Sequence, residues 1–235
     1  MQITVIGHST VLIESGGQKI LTDPYFGTWG NPAYARRSRP AMKREDLKDA
    51  DLVLVSHHHF DHIDRSFFRS LGKATPVCAP RLMAWMTKIS GARNVIGMRP
   101  WERREFGVAE VTAVPAIHWD ITLGYVIRCE DKAVYFAGDT FYGGFMSEIG
   151  RRFSLDAALI PVTTFRIPMT MGEKSAVKAV AALNPKVVIP IHLGLAPRSF
   201  LLQRGESPEG FQRRMQAAGN PANVVLLPDG EPFNL

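Results

Sequence analysis

The chain has 235 residues, 46% of them hydrophobic and 21% charged, with a formal net charge of +6. That is the mix of an ordinary soluble globular chain with enough length for one substantial core, so a single domain over residues 1–235 is expected and a disordered chain is excluded. No apolar run approaches the ~18 residues of a membrane-spanning helix.

Short apolar strands come first. Gln2–Ile6 and Val11–Glu14 read as strands, and Gly16-Gly17 as a two-residue hairpin turn into a third at Lys19–Thr22. The opening MQITVIGHST lacks the basic and long apolar stretches of a signal peptide, which gives a cytoplasmic expectation by default. Asp23 to Glu45, with Pro24, Pro32 and Pro40, reads as a long surface loop, a length that often carries function. Asp51–Ser56 reads as a buried strand, Arg81–Ser90 as a helix and Asn94–Met98 as a strand. Val108–Val114, Gly124–Cys129 and Ala133–Ala137 follow as strands, the last two turned by Glu130-Asp131, and Leu155–Val162 is another. Helical spacing of Ala176, Val177, Val180 and Leu183 predicts a helix over Glu173–Leu183, ended by Asn184-Pro185. Lys186–Ile191, a helix at Pro208–Ala218 and a strand at Asn223–Leu227 close a layered α/β chain.

Cys78 and Cys129 sit in apolar stretches and read as buried free thiols. The basic residues, such as Arg36, Arg37 and Arg39 or Arg213 and Arg214, are dispersed and read as solvated surface; the net charge allows an anionic substrate without requiring one.

Chemistry concentrates at residues 57–64, His-His-His-Phe-Asp-His-Ile-Asp. The chain holds seven histidines, and four of them crowd here, directly after a buried strand. In extended chain His57 and His59 face one way and His58 the other, so His58 is left out of the site. A turn then brings Asp61 and His62 to a second point nearby. Imidazole and carboxylate together suit zinc, with manganese and iron also compatible. His118, Asp139 and His192 each follow a strand, at the carboxyl ends where α/β sheets place their sites. Jointly these residues give seven ligands, enough for two divalent ions.

The pattern HxHxDH at 57–62, His118, Gly138-Asp139-Thr140 and His192 resembles the metallo-β-lactamase-fold hydrolases. Gly7-His8-Ser9-Thr10, Leu21-Thr22-Asp23-Pro24, Ser56 through Asp64, Tyr135 through Thr140 and Pro190-Ile191-His192 make it similar to the branch of ascorbate-6-phosphate lactonase-like and N-acyl-phosphatidylethanolamine phospholipase D-like enzymes. The resemblance implies a four-layer αββα sandwich. It implies that His57, His59 and His118 bind one ion, that Asp61, His62 and His192 bind the other, and that Asp139 bridges them. Many members assemble, so a homo-oligomer is compatible. The implied reaction is hydrolysis of a phosphoester, lactone or ester bond in a small molecule, with a shared water whose pKa falls toward ~7 and with Asp61 and His192 at the chemistry. Asp61 is expected to orient the nucleophile and shuttle its proton.

Behind the ligands, His8 is a candidate neighbour and Asp23 a candidate partner for a ligand imidazole. Thr140 and Tyr142 either line the pocket or shape the turn. Arg166 and Arg198 are candidates to grip a phosphate, and Trp29, Tyr34 and Trp119 to wall an acyl or ring group. A metal-dependent nuclease is a second reading, weakened by the absence of a dense basic run; a non-hydrolytic metal-binding or redox protein is a third, weakened by His59 where di-iron relatives carry Glu.

Overall fold

The computed structural model describes residues 1–28 and 30–235. The chain begins with an antiparallel meander, β1 (Gln2–Gly7), β2 (Thr10–Ser15) and β3 (Gln18–Thr22). Gly16 and Gly17 close its second hairpin with φ of 55° and 76°, the left-handed pair that a type I′ turn requires. There follow β4 (Tyr34–Arg36), β5 (Leu52–Leu54), α1 (Arg65–Ser70), β6 (Pro76–Pro80), α2 (Ala84–Ile89) and β7 (Asn94–Met98). A second meander comprises β8 (Arg103–Phe106), β9 (Ala109–Pro115), β10 (Leu123–Cys129) and β11 (Lys132–Phe136). The chain continues through α3 (Phe145–Arg152), β12 (Ala157–Pro161), α4 (Glu173–Leu183), β13 (Val187–Ile191), β14 (Leu195–Pro197), α5 (Pro208–Ala217), β15 (Asn223–Val224) and β16 (Pro232–Asn234).

Two seven-stranded sheets result, ordered β16-β1-β2-β3-β5-β6-β7 and β15-β13-β12-β11-β10-β9-β8. Each pairs an antiparallel meander with parallel strands, β3-β5-β6-β7 in one and β11-β12-β13-β15 in the other. Alternation along the strands fixes the layers. Ile3, Val5, Leu52 and Leu54 of the first sheet meet Val111, Tyr125, Ile127 and Phe136 of the second in a shared buried core. The opposite faces pack outward: Val53, Val55 and Val77 against Phe67 and Phe68 of α1, and Val126, Ala158 and Val188 against Met146, Ala176, Val180 and Phe211 of α3, α4 and α5. This is the expected αββα sandwich.

Several elements depart from the sequence reading. Strand β6 was hidden by its prolines, which a strand tolerates at its ends. Helices α1 and α3 are too short for a periodic signal; α1 is set instead by Asp64, whose side chain accepts the backbone N–H groups of Ser66 and Phe67. Of Asn223–Leu227 only Asn223–Val224 pairs, and β16 lies further on. Residues 23 to 45 are not simply a surface loop. Tyr25 and Phe26 are buried, and β4 pairs with β14 in a small ribbon. Both cysteines are free and buried, and burial pushes the Cys78 thiol up to about 12. No helix among the described residues is long and apolar enough to cross a membrane.

Candidate metal centre

Six strands, three from each sheet, deliver polar residues to one edge of the sandwich. His8 follows β1, Asp23 follows β3 and residues 56–62 follow β5. His118 follows β9, Asp139 follows β11 and His192 follows β13. Several of these strands end in a sharp reversal. His8, Asp23 and His192 have φ of 60°, 34° and 64°, and are three of the six non-glycine residues with positive φ among the described residues. Such strain persists where surrounding contacts over-determine it, and it clusters at functional sites. Here the His192 backbone N–H donates to the His8 carbonyl at 2.9 Å, tying the two sheets together at the site.

Gly138 has φ of 56°, and a Cβ there would lie 2.4 Å from Ser56 Cβ. Gly138→Ala is therefore expected to cost about 1–3 kcal/mol from overpacking, with a further loss of metal affinity because Ser56 holds a site histidine. Thermal melts with and without added zinc check both effects.

The imidazoles surround one carboxylate. Asp139 Oδ2 lies 3.1 Å from His192 Nε2, 3.8 Å from His118 Nε2 and 3.9 Å from His57 Nε2, while Oδ1 lies 3.4 Å from His62 Nε2. His118 Nε2 also faces His59 Nδ1 at 3.2 Å. One ligating atom from each of His57, His59, His118 and Asp139 falls within 4.8 Å of the rest, and a second such group is His8, Asp61, His62 and His192. Buried His57 Nε2, His62 Nε2, His192 Nε2 and Asp139 Oδ1 have no hydrogen-bond partner. An unmade bond at a buried polar atom costs about 1–3 kcal/mol, and several lone pairs converging on one spot are what divalent cations satisfy. The residues present therefore fit a metal centre.

Asp23 fixes the proton positions behind it. Its Oδ1 accepts the Ser56 backbone N–H at 2.6 Å; Oδ2 accepts the Ser56 hydroxyl at 2.6 Å and His62 Nδ1–H at 2.7 Å. With its hydrogen spent on Asp23, Ser56 Oγ accepts from His57 Nδ1–H at 2.9 Å. Both imidazoles thus hold a proton on Nδ1, which leaves Nε2 as the atom each would offer to a cation in the site. His8 is arranged the other way. Gly194 N–H donates to its Nδ1 at 3.2 Å, so Nε2 holds the proton and donates to Asp61 Oδ2 at 3.1 Å. Both ring nitrogens of His8 are then engaged, which separates it from His57 and His62.

The electrostatics follow from burial and neighbours. Burial pushes His8 down to about 3, burial pushes His118 down to about 4, and burial holds His57 well below its ordinary value. Burial would also lower His62, but the Asp139 and Asp23 carboxylates override it and raise His62 well above the usual range. Burial would raise Asp61 and Asp139; the surrounding imidazoles, His62 foremost at Asp61 and His192 at Asp139, hold both below it.

The other candidates fall outside this arrangement. His58 points away and bonds Thr87 Oγ1 at 2.7 Å, as its strand position predicts. Thr140 is buried and shapes the turn: its hydroxyl accepts the Ile117 N–H and donates to the Phe141 carbonyl. Tyr142, Arg166 and Arg198 do not reach the cavity over the ligands. The guanidinium Nε of Arg166 donates to the Gln203 carbonyl and that of Arg198 to the Asn31 carbonyl, so both are engaged by neighbouring loops. Trp119 is 69% exposed and donates to the Pro168 carbonyl, outside the cavity. Trp29 lies outside the described residues, and of the three proposed wall residues Tyr34 lines the cavity. Ser56, Phe60, Phe165, Met169 and Leu195 were missed. Ser56 and Phe60 lie in the 56–64 stretch that carries the resemblance; Phe165 and Met169 are apolar loop residues without any signal, and Leu195 belongs to β14, which the sequence did not show.

Comparison with known proteins adds a lineage. Residues 18–193 match the β-lactamase superfamily domain. The chain is similar to a UPF0173 metal-dependent hydrolase from Methanopyrus kandleri, 34% identical over 254 aligned positions and covering 99% of each chain. It is equally similar to one from Pelotomaculum thermopropionicum, 34% identical over 250 positions and covering all of both. Its structure resembles that of a metallo hydrolase from the hyperthermophilic archaeon Ignicoccus hospitalis, with a TM-score of 0.79, 26% identity, and coverage of 100% of this chain and 98% of that one.

Proposed function

The chain belongs to the β-lactamase superfamily, among the UPF0173 metal-dependent hydrolases, and from that premise we propose that it holds two divalent ions, zinc first, and cleaves a phosphoester, lactone or ester bond in a small molecule. The observation that carries this reading is the set of unpartnered Nε2 atoms converging on Asp139. His57, His59 and His118 would hold one ion and Asp61, His62 and His192 the other; Asp139, whose Oδ2 lies near His57 and His118 of the first group and His192 of the second, would serve both. When bound, such ions polarise the scissile group and bring the pKa of a water near 7, so the nucleophile forms at neutral pH.

The protein's own part is orientation and proton handling. Asp23 and Ser56 keep His57 and His62 in the tautomer that offers Nε2. Asp61 lines the cavity, the His62 and His8 imidazoles hold its carboxyl below the usual carboxylate range, and it would take the proton from an attacking water. His8 Nε2–H holds that carboxylate in one orientation from behind. Asp61→Asn is expected to lower kcat by roughly 10²–10⁴-fold, the usual contribution of a positioned acid–base group, with little change in melting temperature. His8→Ala should lose a smaller factor, about 10–100-fold, which His8→Gln partly restores because its amide can donate to the same oxygen. An unaltered rate in Asp61→Asn would remove Asp61 from the chemistry.

The test of the function itself is hydrolysis of a phosphodiester and a lactone by zinc-reconstituted protein, alongside a chelated control and Asp61→Asn. Turnover of either that vanishes in both controls supports the reading. Turnover that survives chelation, or binding of fewer than two ions per chain, overturns it.

A further inference from the structure

The cavity over the metal centre has a volume of about 220 Å³, below the roughly 300–1,000 Å³ of pockets that take drug-sized ligands. Its floor is His59, Asp61, Asp139 and His192; its walls are Tyr34, Phe60, Phe165, Met169 and Leu195. Two of these walls are built by the small ribbon. Pairing of β4 with β14 matches Tyr34 to Pro197 and Arg36 to Leu195, and so carries both Tyr34 and Leu195 to the cavity. The Phe165 ring then stacks on Tyr34, with centroids 5.1 Å apart and planes 29° from parallel.

No Lys or Arg lines this cavity among the described residues. Arg36, two residues beyond Tyr34, donates to the Tyr25, Gly27 and Ser38 carbonyls. Arg166 and Arg198 bond loop carbonyls. Arg37 and Arg204 line a different cavity of about 110 Å³, which Phe165 and Leu195 also bound. Ions on the floor would take phosphoryl oxygens as readily as a carbonyl oxygen, but a charged oxygen lying against the apolar wall would give up water with no protein donor to replace it. An uncharged carbonyl compound needs polar contacts only at its reacting end, and its hydrocarbon part gains from burial against the rings.

Resting on the hydrolytic reading above, we propose that the site takes a small uncharged lactone or ester whose apolar, ring-bearing substituent lies against the Tyr34–Phe165 stack, in preference to a phosphoester. In the reaction the oxygen of water bonds to the carbonyl carbon and the ring C–O bond breaks. Its electron pair stays on the leaving oxygen, which takes the proton given up by water, and a hydroxy acid results.

The test uses the zinc-loaded full chain with γ-butyrolactone, γ-phenyl-γ-butyrolactone and methyl phenyl phosphate. A second measurement, saturation-transfer NMR with 2-phenylcyclopentanone, reads binding of the same shape without a hydrolysable bond. The expected result is kcat/KM at least about 10-fold higher for the phenyl lactone than for the plain lactone, the scale on which pockets discriminate hydrocarbon groups, and higher than for the phosphodiester. In Phe165→Ala and Tyr34→Ala, each verified to keep its zinc, the phenyl preference should fall several-fold through KM, and ketone binding should weaken. If no compound is turned over but the ketone binds and Phe165→Ala weakens it, the substrate class stands and the hydrolytic reading falls. Preference for the phosphodiester, no ketone binding, or a phenyl preference indifferent to both variants would overturn the proposal.

Discussion

Asp139→Ala is expected to remove at least one of the two ions proposed for the centre and to lower kcat/KM by about 10³-fold or more, the scale of the several kcal/mol that a metal ion supplies to a developing charge. The reason lies in the carboxylate's position. Its Oδ2 is within 3.9 Å of His57, His118 and His192, and its Oδ1 is 3.4 Å from His62. No other acidic side chain among the described residues lies this close to imidazoles of both ligand groups. Without it, clustered imidazoles would lose the negative charge that offsets the cations. Elemental analysis of dialysed protein, paired with circular dichroism to verify the fold, reads the effect. Retention of two ions with undiminished turnover would remove Asp139 from the centre.

Asp23→Ala is expected to act on both stability and metal affinity. The substitution strands three donors in a fully buried spot: Ser56 N–H, the Ser56 hydroxyl and His62 Nδ1–H. Breaking a buried charged pair costs about 3–5 kcal/mol, and for a chain of this size each kcal/mol moves Tm by about 2–4 °C, so a drop of roughly 6–20 °C follows. Metal affinity should fall about 10–100-fold, the usual loss when a group that orients a ligand histidine is removed. The two effects separate in one experiment. Were Asp23 a structural residue alone, Tm would drop equally in chelator and in zinc. If it orients His62, the stabilisation gained on adding zinc also shrinks, by about 1.4–2.7 kcal/mol for that loss in affinity. Asp23→Asn should recover part of the stability, since an amide oxygen can still accept one of the three hydrogens.

Much of the centre was legible because its chemistry is written locally. His57, His59, Asp61 and His62 lie within six residues after an apolar strand, where period-two alternation and one turn suffice to aim them. His118, Asp139 and His192 each stand just beyond a strand, and position on a parallel or meander strand end is a sequence property. Asp23 was readable for the same reason: it closes a strand before a proline. By itself, then, the sequence determined most strands of the two large sheets, though not β6, β8 or β16 nor the β4–β14 ribbon, together with the αββα layering implied by the resemblance, the metal-type donors and the superfamily.

The tertiary structure decided which atoms those donors present and what stands opposite them. Nothing in the order Ser56-His57 tells that the serine hydroxyl spends its hydrogen on Asp23 and so fixes the imidazole's proton, because Asp23 arrives from another strand. Nothing near His8 tells that Gly194, from the far end of the chain, donates to its Nδ1 and so turns its Nε2 proton toward Asp61. The cavity wall is the clearest case. Tyr34 and Phe165 are distant in sequence, lack any periodic pattern, and stack because the β4–β14 ribbon folds one loop over the site. Likewise Arg166 and Arg198 looked suited to an anion until neighbouring carbonyls claimed them. Residue type and local spacing set which chemistry a chain can perform; proton placement and substrate-facing surface depend on contacts between segments distant in sequence, and those form only when the whole sandwich closes.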